Sequence, residues 1–305
     1  VEGEGEVTAT TADLPSESSD RRVAVVRAAS VTALALGVFG PILFYMTMHW
    51  KADANYSHGF LVAPLALYFA WERLPQLKRA PIDPTWWGVV PMMAGALSLM
   101  IGRLGVELMS MRIAFVLTLI GIVLLTLGRS PFRILAFPLL FLFLMVPLPQ
   151  SLVNVVAFPL QLSAAKLAVG SLHMLGIPAL LEGNIIHLAD TQLFVAEACS
   201  GLRSLMALGT LGVVFAYFFR KNLVERAVLI VSTIPIAIFV NAFRVALTGY
   251  LTHYYGSGAA EGAVHQLEGF FTFGLAFALL LVQASLMKVL WPKSWREKTQ
   301  WGSGA

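Results

Sequence analysis

The chain has 305 residues, 58% of them hydrophobic and 12% charged, with a mean hydropathy of +0.77, whereas soluble domains carry about 25% charged residues. Repeated apolar stretches of about 20 residues account for the difference, and that is the length a helix needs to cross the hydrocarbon core. The net charge of +4 is spread over loops without a basic stripe or interleaved aromatics, which excludes nucleic acid as a partner, and a single cysteine excludes an intrachain disulfide or a cysteine-based zinc cluster.

Residues 1–22 scatter Glu2, Glu4, Glu6, Asp13, Glu17 and Asp20 among Gly, Ser and Thr, and read as a disordered tail. The first apolar stretch lacks the combination of basic start, short apolar core and small-residue cleavage site that marks a removable signal. Eight crossings are predicted, over residues 28–48, 58–72, 85–102, 112–128, 131–148, 199–219, 227–248 and 265–290. The expected fold class is therefore all-α, a polytopic helical bundle, with residues 23–298 as one integral membrane domain and 299–305 as a flexible end.

Basic residues set the orientation. With the tail in the cytoplasm, fifteen of the 21 Lys and Arg residues fall on that side, and Lys51, Arg103, Arg112, Lys166, Arg203 and Arg244 fall on the other. The positive-inside rule then places both termini in the cytoplasm of a cell-membrane protein. Trp50, Trp86, Trp87 and Trp291 flank spans, as interfacial anchors do.

Residues 149–198 are too long for a turn and carry Gln161, Lys166 and His173 around Pro159, so interfacial or re-entrant helices are expected there on the outer side. The runs 180–188 and 191–195, on either side of Ala189-Asp190, predict a small β-hairpin leading to Cys199.

From Cys199 the sixth span descends about 20 residues, roughly 30 Å, to Arg220-Lys221-Asn222, and the seventh climbs about 27 Å from Ala227 to Arg244. A loop follows over 256–262, and His265 opens the eighth span. The path lengths bring Cys199, Arg244 and His265 to one depth at the outer surface, the components of a cysteine acyl-transfer site.

Each residue has its own chemical case. At a helix N-terminus the unpaired amides stabilise the Cys199 thiolate, although an isolated cysteine is otherwise a small buried hydrophobe. Glu197 opposes ionisation of that thiol or orients a basic partner. Arg244 lies in an apolar helix where an unpaired charge costs several kcal/mol, unless it snorkels to headgroups. Asn241, one turn earlier, shares its face. Arg203, four residues after Cys199, is a second source of positive charge, and sequence does not rank the two arginines. His265 has Glu261 and Glu268 nearby to fix its tautomer. His58 faces substrate or anchors the interface, while His49, His173, His187 and His253 have no metal-ligand spacing.

The run Glu197-Ala198-Cys199-Ser200-Gly201-Leu202-Arg203, then Asn241-Ala242-Phe243-Arg244, then His265 with Gly269, resembles the exosortase and archaeosortase family. Tyr56-Ser57-His58-Gly59-Phe60, Phe137-Pro138-Leu139, Pro147-Leu148-Pro149 and Glu182-Gly183-Asn184 extend the likeness over residues 56–285. The resemblance implies a transpeptidase-like sorting enzyme, a thiol protease in its first step, with Cys199, Arg244 and His265 as its catalytic set. Its expected substrates are exported proteins ending in a short motif such as Pro-Glu-Pro, then a transmembrane helix, then a basic cluster (PEP-CTERM-like). The cut end would pass to an acceptor nucleophile, at the extracytoplasmic face, with membrane lipid as surroundings and no cofactor. Arg203, Asn241, Glu197 and His58 take supporting or substrate-binding positions. The competing readings are a membrane transporter, which would show repeats and midplane charges, and a lipid acyltransferase.

Overall fold

A computed structural model describes residues 16–189, 191–195, 201–219, 222–256 and 263–290. It is predominantly helical with one small sheet, an all-α polytopic membrane protein. Its contacts divide it into two compact units: the described residues up to Met48 with Val62–Val146, and His49–Leu61 with the described residues from Pro147 onward.

The first unit contains most of helix α1 (Ser16–Ala52), most of α2 (Gly59–Glu72), then α3 (Leu74–Arg79), α4 (Val89–Leu104), α5 (Leu108–Thr126) and α6 (Arg129–Phe141). Helix α1 is described from Ser16, so part of it falls within the segment that composition assigns to the tail. Helices α4 and α5 pack closely through small residues. Gly88, Gly95 and Gly102 recur every seven residues on one face, and side chains there would strike Gly121 O and Leu125 N, Ala114 O and Thr118 Oγ1, and Glu107 O and Met111 N. Lipid offers no hydrophobic drive for helix pairing, so backbone approach through small residues supplies dispersion contacts instead.

The turn into α5 is capped by Glu107, whose carboxylate accepts from Met109 N at 2.7 Å and Ser110 N at 2.6 Å. Arg112, one turn into α5, is buried. Elsewhere in this unit Phe69, Phe137 and Phe141 stack edge-on or face-on, and Arg73 lies over Phe137 while donating to Ile134 O. This gives the Phe137-Pro138 motif a packing role.

The second unit holds the end of α1, a 3-10 turn over Ala54–Tyr56, α7 (Gln150–Met174), three strands, α8 (Gly201–Phe219), α9 (Leu223–Val231), α10 (Thr233–Tyr255) and α11 (Ala263–Leu290). Strands β1 (Leu180–Glu182), β2 (Ile185–His187) and β3 (Gln192–Phe194) form an antiparallel meander, with Leu181 opposite Ile186 and Ile186 opposite Leu193. The expected hairpin is β2–β3. A third strand arises because the first apolar run reverses at Gly183, whose φ of +61° is the left-handed conformation glycine tolerates.

Among the described residues two cores hold this unit. Ala165, Ala168 and Leu172 of α7 pack with Ile186 and Leu193 of the sheet and Val245 of α10. Leu208, Leu229, Val240, Ala276 and Leu280 unite α8 to α11. The Ser232 hydroxyl at the α9–α10 junction donates to Gln283 Oε1 of α11 at 2.8 Å.

Six helical stretches among the described residues are long and apolar enough to cross a membrane: Ser19–Ala52, Trp86–Leu104, Leu108–Thr126, Gln150–Met174, Leu223–Tyr255 and Gly269–Met287. Leu205–Phe219 is a shorter apolar helix. The count differs from the eight read from hydropathy for identifiable reasons. Helix α2 has 14 residues and α6 has 13, the latter passing into a 3-10 turn over Leu142–Met145. The region expected to hold interfacial or re-entrant helices has α7 as one 25-residue helix running through Pro159, long and apolar enough to cross a membrane.

Candidate active site

Helix α8 is described from Gly201; Cys199 and Glu197 lie outside the described residues, as does the side chain of His265. Helices α8, α10 and α11 pack on one another. They are the helices that follow the cysteine, carry Arg244 and carry position 265.

Arg244 is 8% exposed and Asn241 6% exposed, so both lie inward on α10 rather than reaching to headgroups. A methyl group built on Gly269 would sit 3.9 Å from Arg244 Nη2. The guanidinium therefore points at the α11 backbone near Gly269. Position 265 is one helical turn before Gly269 on the same face, a separation of about 6 Å. That face continues through Thr272, Ala276 and Leu280, all buried.

Thr248 and Thr252 extend the inward polar row of α10 beyond Asn241 and Arg244, and both are buried. Thr248 Oγ1 donates to Arg244 O at 3.0 Å. Among the described residues Thr252 Oγ1 is buried without a hydrogen-bond partner. Sequence reasoning passed over these threonines, although their spacing from Arg244, four and eight residues, was the available signal. Arg203 is exposed on the first turn of α8.

His58 is 8% exposed and sits where the 3-10 turn meets α2. Its ring lies 6.4 Å from that of Tyr56, and the turn packs against α8. The Tyr56 hydroxyl donates to Leu148 O at 3.1 Å, which joins the Tyr56-Ser57-His58 and Pro147-Leu148-Pro149 motifs. Gly59 follows because the Trp50 ring occupies the space a side chain would need. On the other flank, Val195 N donates to Asn184 O at 3.0 Å, so the Glu182-Gly183-Asn184 turn holds the end of β3. His173 Nε2 lies 2.7 Å from Ala179 O, and His187 lies 3.4 Å from Glu182, both at the small sheet.

A guanidinium buried at the α10–α11 contact can stabilise an anion. A family model described as transmembrane exosortase matches residues 50–282. Comparison with curated proteins and with solved structures gives no match. The family match covers most of the chain and every motif placed above, and on that ground the protein belongs to the transmembrane exosortase family.

Proposed function

We propose that the protein is a membrane-embedded cysteine transpeptidase that cleaves C-terminal sorting signals of exported proteins and transfers the new end to an acceptor. The observation that carries this reading is the aim of buried Arg244 toward the Gly269 turn of α11, one turn from His265. The Cys199 thiolate attacks the scissile carbonyl, and the electron pair moves to oxygen, where Arg244 donates hydrogen bonds to the oxyanion. Collapse of that intermediate breaks the C–N bond as His265 gives a proton to the leaving amine, and a thioester remains. His265 then takes a proton from the acceptor nucleophile, which displaces Cys199.

Burial favours Arg244 over Arg203 for the electrostatic role, because a guanidinium withdrawn from water acts in a lower dielectric. Asn241 and His58 are positioning or substrate-facing groups in the same unit. The substrate brings its own transmembrane helix, so entry is lateral, from lipid, at the extracytoplasmic side, with both termini in the cytoplasm.

The test is to incubate the purified protein with a tagged peptide carrying a short motif, a transmembrane helix and a basic cluster, and to read both products by mass. Cys199-dependent cleavage with a new group on the carboxyl end is the expected result. Lipid esterified to Cys199 without peptide cleavage would instead identify a lipid acyltransferase.

A further inference from the structure

The first unit contains a cavity of about 770 Å3 that the proposed chemistry does not use. It lies between the first turns of α1, the segment after α3 and the end of α5. Arg21, Arg27 and Arg79 line it with a single carboxylate, Asp20, and with Leu125 and Thr126. The Arg21 guanidinium donates to Leu77 O and Ala80 O, which ties α1 to the end of α3 and shapes one wall. Among the described residues no ion pair involves Arg27 or Arg79.

The same face of α1 continues away from the cavity as a shallow apolar groove lined by Ser30, Ala33, Leu34, Gly37 and Val38. From Asp20 through Ala24, Arg27, Leu34 and Val38 the positions follow helical spacing, so cavity and groove lie along one stripe. A side chain on Gly37 would meet nothing within 4 Å. Between Arg27 and Val38 the helix rises about 16 Å, roughly the depth of one leaflet of a hydrocarbon core near 30 Å thick.

We propose that this is a binding site for one anionic phospholipid, with its headgroup phosphate between Arg27 and Arg79 and an acyl chain along the Ser30–Val38 stripe of α1. Planar guanidinium groups match phosphate oxygens in pairs, and basic pockets at the ends of membrane helices recognise anionic headgroups. The excess of cations disfavours a basic peptide here, and the adjoining apolar stripe favours a lipid over a free ion.

The experiment is native mass spectrometry of the full chain released from detergent after incubation with phosphatidylglycerol or with phosphatidylcholine of the same acyl chains. Retention of phosphatidylglycerol over phosphatidylcholine is expected, weakened roughly fivefold for each arginine in Arg27→Gln and Arg79→Gln. Arg129→Gln with Arg133→Gln, the same charge change outside the cavity, should retain the lipid as before. Gly37→Phe fills the groove and should lower retention without touching a charge, which keeps a test available if the arginine variants fail to fold. Equal retention of the two lipids, or of the native chain and Gly37→Phe, overturns the proposal. Displacement of phosphatidylglycerol by excess inorganic phosphate overturns it in favour of a simple anion site.

Discussion

The Tyr56 hydroxyl and the Leu148 carbonyl, 92 positions apart in sequence, are joined by a 3.1 Å hydrogen bond. Tyr56 is 4% exposed, so the bond forms at the edge of a packed region and fixes the turn that presents His58. Tyr56→Phe keeps the ring and removes the donor, which costs about 1 kcal/mol. For a domain of this size that is a fall of roughly 2–4 °C in Tm. Tyr45→Phe, on the exposed face of α1, should leave Tm unchanged. Equal effects of the two substitutions in detergent would show that the bond does not hold the turn.

Gly269 tests the placement of Arg244 directly. In Gly269→Ala the added carbon makes ordinary contact with Nη2 at 3.9 Å, and cleavage of the sorting peptide should stay near normal. Gly269→Leu needs the space the guanidinium fills and should lower cleavage by about 100-fold, the cost of displacing a catalytic group by roughly 1 Å. Full activity of the leucine variant would separate this arginine from the chemistry.

Arg244→Lys should lose about 100-fold in kcat, because a point charge does not reproduce the planar donor fork. Arg203→Lys, on an exposed position, should change kcat little. The reverse pattern would exchange the two arginines. Cys199→Ala should abolish cleavage while Tm stays close to that of the native chain.

Glu107 supplies a pH test that is independent of function. Burial pushes its carboxyl upward, but the Ser110 side chain and amide, the Met109 amide and the Arg112 charge together outweigh this, and the group titrates below its usual 4.5. A carboxyl lowered by folding stabilises the protein above its unfolded pKa and loses that contribution as pH falls through the folded value. Glu107→Gln should therefore cost about 1 kcal/mol at neutral pH, and the difference in Tm should narrow as the pH falls below 4.5. A gap that persists unchanged at pH 3 would assign the effect to packing.

The all-helical membrane fold was legible because hydropathy and length act together, and the antiparallel β2–β3 pair because short alternating runs stand out in a chain of helices. Helix α7 runs unbroken where Pro159, Gln161 and Lys166 suggest interruption, because a single proline removes one backbone bond and the helix continues through it. Arg244 was conspicuous for the cost of its charge among apolar neighbours. Thr248 was not, since a threonine satisfied by the carbonyl one turn back leaves no mark on hydropathy. Arg112 was counted among the outer-face cations at the start of the fourth crossing, and its burial on α5, one turn past the Glu107 cap, leaves no mark in the sequence.

The glycine row between α4 and α5 bears on the order in which the chain assembles. Its recognition surface is glycine main chain meeting the main chain of α5 and the side chains of Met111, Thr118 and Leu125, so pairing depends on no side chain from a later helix, and the residues involved, Gly88 to Leu125, are close in sequence. Contacts of such short span form with little loop-closure entropy. The hairpin is thus free to lock as soon as both helices are in the bilayer, giving later helices a finished neighbour, and the outward residues Val90, Met93, Leu97 and Met100 can follow the lipid without altering the lock.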